Sequence, residues 1–165
     1  MTIKDRIIEF RRVPASQLLP SPKNWRTHST EQADALRGVL AEVGFAGAVL
    51  ARETPDGLML IDGHLRSTVA TDQEIPCLVL DVTEAEADKL LATYDPISSM
   101  AGADPDALAN LLDSIETDSD ALHRMLEGMK DQHGLVLDEG REFDESAADD
   151  VKQITCPHCG KDFPL

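Results

Sequence analysis

The amino-acid sequence predicts an α+β fold, in which a small mixed sheet with flanking helices is followed by a helical appendix, an acidic linker and a short terminal knuckle. Three observations support this prediction. Short aliphatic runs typical of strands alternate with segments that have apolar residues at helical spacing. The 165 residues are enough for one domain of ordinary size and a tail. Hydrophobic residues make up 42% of the chain but aromatic residues only 4%, so the core is expected to be aliphatic.

Four segments have the composition of strands, and they are residues 7–13, 48–51, 58–61 and 75–82. Pro14 ends the first segment, because proline cannot donate a hydrogen bond to a strand ladder. The turn residues Pro55, Asp56 and Gly57 join the second and third segments as a hairpin. Residues 18–26 contain two prolines and an asparagine, which favour a loop over a helix or a central strand.

Five segments have a helical pattern, and they are residues 29–44, 65–71, 83–91, 104–115 and 119–128. Ser29 or Thr30 is expected to cap the first helix, and Gly44 is expected to end it. Thr83 and Glu86 fit a capping box at the start of the third helix.

The patterns divide the chain into a folded domain at residues 1–95, a helical appendix at 96–130, an acidic linker at 131–152 and a separate short terminal element at 153–165. The net charge of −16 is concentrated in residues 101–150, which have 15 acidic and only 3 basic residues. This acidity argues against a free-standing nucleic-acid binder. It is typical of a solvated, partly disordered surface, or of a surface that meets a basic partner. The first 30 residues carry six basic and two acidic residues, so a phosphate site can lie there.

Several protein classes are excluded by the composition. No segment approaches the roughly 20 apolar residues that cross a bilayer, so no membrane association is expected. The first six residues lack the apolar core of a secretory signal. The three cysteines do not make a disulfide framework, and a reducing cytoplasm is the expected location.

The segment with recognisable chemistry lies where a predicted strand ends and a helix begins. Asp62, Gly63 and His64 follow the strand directly, and Arg66 comes within the first turn of the helix. The free N–H groups of a helix start favour anions, and arginine matches phosphate oxygens with two donors. Asp62 is placed to hold a Mg²⁺ that bridges phosphates. Each residue alone also fits a purely structural role, but together they predict a site for a di- or triphosphate.

This segment resembles the G-x-x-R motif of the ParB N-terminal domain, which belongs with sulfiredoxin in one superfamily. Further resemblances follow in the family's order at the proline-rich loop of residues 13–26, at the helix and strand of residues 36–50, and at the strand of residues 75–79. Residues 91–112 resemble the branch found beside DNA methyltransferases in phage and mobile-element genes. The resemblance implies a ParB/sulfiredoxin-like fold over residues 7–92.

The resemblance also implies a nucleotide-binding module that works with DNA-processing or DNA-modification machinery. It assigns contacts with a nucleoside triphosphate to Gly63, His64 and Arg66, with Arg26 beside them and Mg²⁺ as the accompanying ion. His64 and Leu65 stand where ParB has Glu-Arg, so the choice of nucleotide stays open. The following helices are acidic and unsuited to a DNA groove, so DNA is expected to be reached through a partner protein.

Two other functions remain open. One is a metal-dependent nuclease, nucleoside triphosphatase or phosphotransferase, in which Asp62 binds the metal and His64 performs acid–base chemistry. Asp81 and Asp95 are further carboxylates for such a site. The other is an interaction or adaptor protein whose nucleotide site has decayed. Sulfiredoxin chemistry is not expected, because the family's cysteine before the His-Arg pair is replaced by Gly63.

The last segment, Cys156-Pro157-His158-Cys159-Gly160, resembles one knuckle of a zinc ribbon. Its spacing lets both thiolates bind one tetrahedral ion, so Cys156 and Cys159 are predicted ligands of Zn²⁺. Two thiolates are half of a tetrahedral ligand set. Three interpretations stay open: a zinc shared between two chains of a homodimer, a zinc completed by His158 or His133, and a metal-free or redox-active pair.

Overall fold

The computed structural model describes residues 2–135 and 153–164. Its strands are β1 (Ile7–Pro14), β2 (Val49–Thr54), β3 (Gly57–Asp62), β4 (Glu74–Leu80), β5 (Gln153–Thr155) and β6 (Asp162–Pro164). Its α-helices are α1 (Thr30–Glu42), α2 (His64–Val69), α3 (Glu84–Ser99), α4 (Pro105–Asp113) and α5 (Asp120–Gln132). None of these helices has both the length and the apolar character that crossing a bilayer requires. The predicted α+β class is confirmed.

Strands β1 to β4 form one mixed sheet in the order β1-β4-β2-β3. Strand β4 pairs antiparallel with β1 and parallel with β2, while β2 and β3 form the predicted hairpin. The largest fully buried side chains all lie in β2 and β4, and they are Val49, Ile75, Cys77 and Val79. The expected aliphatic core is confirmed, since every buried hydrophobic residue in the described ranges is Ala, Val, Leu, Ile or Cys.

Helix α3 begins where the sequence predicts and continues further than expected. The Glu86 carboxylate accepts a hydrogen bond from the Thr83 N–H at 2.8 Å, and the Thr83 hydroxyl accepts one from the Glu86 N–H at 3.3 Å. The Thr83 N–H, together with the guanidinium of Arg6, lowers the pKa of Glu86 to about 2. The helix crosses the predicted boundary at residue 95 and contains Pro96 in its last turn, where proline cannot donate a hydrogen bond to the carbonyl oxygen four residues before it.

Helix α5 packs directly against α1. A Cβ on Gly38 would lie 2.8 Å from the Cβ of Ser119 and nearer still to its hydroxyl, so the two backbones approach closely. Glu42 Oε1 accepts hydrogen bonds from the Thr117 hydroxyl and from the N–H groups of Asp118 and Ser119, at 2.7 to 3.0 Å. The segment that begins α5 is therefore fixed to the end of α1.

The structure describes only part of the C-terminal region. Most of the predicted acidic linker, residues 136–152, lies outside the described residues. Strands β5 and β6 pair antiparallel and form a hairpin around the two terminal cysteines.

Replacing Gly38 with alanine tests the contact between α1 and α5. The new Cβ would overlap Ser119, so we expect the free energy of unfolding to fall by about 1–3 kcal/mol. Gly128 is a matched control, since it lies in α5 and an added Cβ would meet no heavy atom within 4 Å. Gly128→Ala should stabilise the protein by about 0.5–1 kcal/mol through helix propensity. Denaturant unfolding measures both changes, and equal effects at the two positions would contradict the close contact.

Candidate functional site

The predicted phosphate segment lies at the junction of β3 and α2. Asp62 ends β3, and Gly63 caps α2 with a φ of 91°, a left-handed conformation that other residues rarely adopt. A Cβ on Gly63 would lie 2.5 Å from Val49 Cγ1. Glycine is therefore required here both for the backbone conformation and for the fit against β2.

His64 connects this junction to the loop that follows β1. Its Nε2 accepts a hydrogen bond from the Ser21 N–H at 3.1 Å. A ring nitrogen that accepts carries no proton, so the neutral ring holds its proton on Nδ1. Burial lowers the pKa of His64, and the nearby Asp62 carboxylate opposes this shift in part. His64 is thus a neutral acceptor that holds the loop in place.

Arg66 is bound to the start of β2. Its Nη1 donates a hydrogen bond to the carbonyl oxygen of Ala48 at 2.8 Å, next to the fully buried Val49. The side chain is half-buried. Because a guanidinium has five N–H donors, this one bond leaves donors for a ligand.

The loop of residues 18–26, called here the proline loop, is fixed to the first half of α3 by one lysine. Lys23 Nζ lies 2.8 Å from Glu84 Oε1 and 2.7 Å from Asp88 Oδ2. Hydrogen bonds to the carboxylates of Asp88 and Glu84 raise the pKa of Lys23.

The end of the proline loop is fixed to the second half of α3. Trp25 Nε1 donates a hydrogen bond to the Leu91 carbonyl oxygen at 3.4 Å. Arg26 Nη1 pairs with Asp95 Oδ2 at 2.9 Å, and its guanidinium lies over the Trp25 ring, 4.8 Å from the ring centre. The four residues of α3 that contact the proline loop share one face of the helix. They are residues 84, 88, 91 and 95.

A cleft of about 230 Å³ lies between the end of the proline loop, the first turns of α1, the β3–α2 junction and the second half of α3. The residues predicted for phosphate binding and catalysis all line this cleft, and they are Arg26, Asp62, Gly63, His64 and Arg66. Helix α3 adds Tyr94 and Asp95 to the lining. Folding therefore brings the two separate predicted segments into one cavity.

The formal charges that line the cleft are balanced. Arg26 and Arg66 are matched by Asp62 and Asp95, and the lowered pKa of His64 keeps its ring neutral. A polyphosphate that binds here needs either a divalent cation beside a carboxylate or the release of Arg26 from Asp95.

Of the carboxylates considered for a hydrolytic metal site, Asp62 and Asp95 line the cleft. Asp95 lines the cleft but pairs with Arg26. Asp81 is not among the lining residues, and its carbonyl oxygen accepts a hydrogen bond from Arg6 Nε. Across residues 2–135 and 153–164, no three His, Cys, Asp or Glu side chains form a group that could hold a metal ion.

Sequence analysis does not identify Lys23, Trp25 or Tyr94 as parts of this region. For Lys23 the only signal is the pair of acidic residues Glu84 and Asp88 on one face of the predicted third helix, and a solvated surface has the same pattern. The contacts of Lys23 and Trp25 join segments more than 60 positions apart, which periodicity cannot reveal.

The predicted zinc ligands lie in the turn between β5 and β6. Cys156 is half-buried and Cys159 is exposed. Hydrogen bonds from the backbone N–H groups of His158 and Cys159 lower the pKa of Cys156. Cys77 is fully buried in β4, and burial raises the pKa of its thiol, which keeps it protonated.

Comparison with solved structures identifies the fold. The C-terminally truncated chromosome-partitioning protein ParB from Caulobacter crescentus, in complex with CTP-γ-S, is similar with a TM-score of 0.53 and 19% identity, over 76% of this chain and 71% of that chain. Sulfiredoxin from Arabidopsis thaliana has a TM-score of 0.43 and 13% identity, over 50% of this chain and 97% of that chain. A Pnob8-like ParB-N domain has a TM-score of 0.44 and 16% identity, over 94% of this chain and 56% of that chain.

No protein-family model and no curated protein matches the sequence. The similarity to the ParB structure confirms the predicted ParB/sulfiredoxin fold. The resemblance to a methyltransferase-associated phage branch stays a prediction.

The environment of His64 predicts a pH dependence of stability. Its pKa in the folded protein lies below the ordinary value of 6.5, so the unfolded chain takes up the proton first as the pH falls. The contribution of neutral His64 is therefore complete above pH 6.5 and is lost as the pH falls from 6.5 through the lowered pKa. Urea unfolding between about pH 7.5 and about pH 5 measures this loss.

His64→Gln should remove this part of the pH dependence. His123→Gln is the control, because His123 is exposed on α5. If the free energy of unfolding of His64→Gln depends on pH as strongly as that of the wild type between those pH values, the buried neutral ring is not the source of the pH dependence.

Proposed function

We propose, on the basis of the ParB/sulfiredoxin fold, that this chain is a ParB-like module that binds a nucleoside triphosphate with Mg²⁺. The observation that carries the proposal is the cleft, which gathers two arginines, a glycine-capped helix start and a carboxylate. The ParB structure of similar fold is a complex with CTP-γ-S, so the fold is compatible with such a ligand.

Phosphate oxygens would be held from two directions. Gly63 lines the cleft, so a phosphate can approach the backbone at the start of α2. Arg66 reaches the cleft from α2 and Arg26 from the proline loop, and each guanidinium offers paired donors to phosphate oxygens.

Asp62 is the residue proposed to hold Mg²⁺. Its carboxylate is a hard oxygen ligand of the kind that Mg²⁺ prefers, and it lines the cleft next to Gly63. The ion, when bound, neutralises phosphate charge in a cleft whose arginines are already matched by carboxylates. Asp62 would therefore contribute affinity only in the presence of the ion.

The module is proposed to act with DNA-processing or DNA-modification machinery encoded by a phage or mobile element. Supporting this role, the ParB protein of similar fold is a chromosome-partitioning protein. The net charge of −16 disfavours direct contact with DNA phosphates. A protein partner would therefore provide the association with DNA.

A metal-dependent nuclease or phosphotransferase is a second candidate, favoured by the carboxylates of Asp62 and Asp95 in one cleft. His64 would carry the acid–base step. Because Ser21 already donates to its Nε2, His64 can act as a base at that nitrogen only if the proline loop moves. Product analysis with DNA and with nucleoside triphosphates separates the candidates: turnover that Asp62→Asn abolishes supports an enzyme, and intact substrates support a binding module.

Nucleotide binding can be measured by thermal shift with ATP, ADP, CTP and GTP, each with and without Mg²⁺. At least one triphosphate should raise the melting temperature, because a ligand that binds only the folded state stabilises it. Arg66→Ala should weaken binding by about 10- to 100-fold, since losing a charge-assisted hydrogen bond costs about 1.5–3 kcal/mol.

Arg124→Ala is the matched control, because it removes an exposed arginine on α5. The melting temperatures of the variants without nucleotide measure how much the loss of the hydrogen bond from Arg66 to Ala48 destabilises the fold, separately from its effect on nucleotide binding. Unchanged affinity in Arg66→Ala would reject the site. A chain that responds to no nucleotide would instead be an adaptor with a decayed site.

The ion pair between Arg26 and Asp95 predicts a change in nucleotide affinity opposite to that of Arg66→Ala. The two side chains are 31% and 42% exposed, and Asp95 competes with any phosphate for Arg26. Asp95→Asn should therefore raise triphosphate affinity by about 2- to 5-fold, since an exposed ion pair is worth about 0.5–1 kcal/mol. Asp113→Asn is the control, because it breaks the pair with Lys130 outside the cleft. Weaker Mg²⁺-dependent binding in Asp95→Asn would make Asp95 an ion ligand and contradict this role.

A further inference from the structure

Strand β1 forms one edge of the four-stranded sheet. In the order β1-β4-β2-β3, its only strand neighbour in the described part of the chain is β4. The opposite edge, β3, already pairs with the proline loop, because Leu19 exchanges backbone hydrogen bonds of 2.8 Å with Leu58 and Leu60. An edge strand presents backbone N–H and C=O groups that can pair with a further strand. Among the described residues, β1 is thus the edge that can accept one.

The side chains of β1 include large apolar groups that face solvent. Ile8 is 62% exposed and Phe10 is 61% exposed. A bulge separates Ile7 from Glu9, and from Glu9 onward the strand pairs with β4 in regular register. Phe10 lies opposite Leu78 of β4, so both side chains are on the face of the sheet that packs against α3. Exposed apolar residues on a long edge strand are typical of a surface that pairs with another chain.

The order of charges in β1 selects one register for pairing with a second copy. When two identical strands pair antiparallel about a two-fold axis, the residue at the axis lies opposite its own copy. An axis at Phe10 places Glu9 of each copy opposite Arg11 of the other. An axis at Glu9, Arg11 or Arg12 places like charges directly opposite each other, which destabilises a strand pair. Over these four residues the strand is therefore complementary to itself only about Phe10.

The two charged side chains of this register are accessible. The side chain of Glu9 is 47% exposed and that of Arg11 is 33% exposed, and they form an ion pair within the chain. Arg11 also pairs with Glu53 at 3.0 Å. Residues directly opposite in paired strands have Cβ atoms about 4.5–5.5 Å apart, so each Arg11 would also reach the Glu9 of the other copy. The two intrachain pairs would then form one alternating network.

The local charge around β1 permits two copies to approach. Residues 1–14 carry four basic and two acidic residues, whereas residues 101–150 carry 3 basic and 15 acidic residues. Contact through the acidic region would bring many like charges together, and contact through β1 would not. Charge therefore favours β1 as the meeting surface of two chains with a net charge of −16 each.

We propose that two copies of this chain form a two-fold dimer in which β1 pairs antiparallel with β1 of the other copy, with Phe10 at the axis. The two four-stranded sheets then continue into each other. The two Phe10 side chains pack across the axis, and Glu9 and Arg11 form the flanking pairs. None of these residues lines the cleft, so the dimer does not depend on nucleotide binding.

The test is a charge exchange, measured by analytical ultracentrifugation of the full chain over a range of concentrations. The wild type should be a dimer. Glu9→Arg and Arg11→Glu each place like charges opposite in both flanking pairs, so each should weaken dimerisation by about 10-fold or more. In an equimolar mixture, arginine of one variant faces glutamate of the other in both pairs, so the mixture should form dimers again.

Glu116→Arg and Arg124→Glu are the matched controls, because they reverse exposed charges outside β1. Both should dimerise like the wild type. Phe10→Lys is an independent variant of an exposed residue and should also be monomeric. Thermal unfolding shows which variants are folded, and Phe10→Lys decides the proposal if a charge reversal prevents folding.

Several results would overturn this proposal. A monomeric wild type would reject it, and protection of the β1 amides from hydrogen exchange in that monomer would show that another part of the chain covers the edge. A dimer that persists in Phe10→Lys or in both charge reversals would be held by another surface. Folded charge-reversal variants that stay monomeric when mixed would reject the register about Phe10.

Discussion

The close fit of Gly63 against Val49 is the constraint on which the cleft depends. Val49 is fully buried in β2, beside the central strand β4. Any side chain at position 63 would meet it at 2.5 Å, so the start of α2 lies directly on the core. Arg66 is consequently within reach of the Ala48 carbonyl oxygen. Core packing and the geometry of the phosphate segment are therefore one feature of the structure.

The opposite side of the cleft is built from contacts of another kind. The proline loop is fixed to α3 by partly exposed ion pairs of Lys23 and Arg26. Exposed ion pairs stabilise a fold by only about 0–1 kcal/mol each, and a charged ligand can replace one partner. The packing of Gly63 against Val49 allows no such exchange. The cleft thus has one side set by core packing and one side that responds to charge.

Charge also distinguishes the cleft from the terminal turn with the predicted zinc ligands. The cleft lies within the first 100 residues, where 10 basic residues face 15 acidic residues. The terminal turn has a small positive balance, and the strongly acidic residues 101–150 lie between them in sequence. The cleft and the predicted zinc ligands therefore lie in regions of different local charge.

The sequence by itself determined the four strands of the sheet, the order of the five helices, the aliphatic core and the cluster at residues 62–66, because each depends on neighbouring residues or on composition. It also identified Arg26 as a candidate, through family resemblance. Only the tertiary structure decided that Arg26 shares the cleft with that cluster while paired to Asp95, and that Ser21 occupies His64 Nε2. Such contacts join distant parts of the chain, and periodicity carries no information about which charged or polar groups meet across a fold. The hydrogen-bond or ion-pair partner of each of these groups in the cleft is therefore set by tertiary packing.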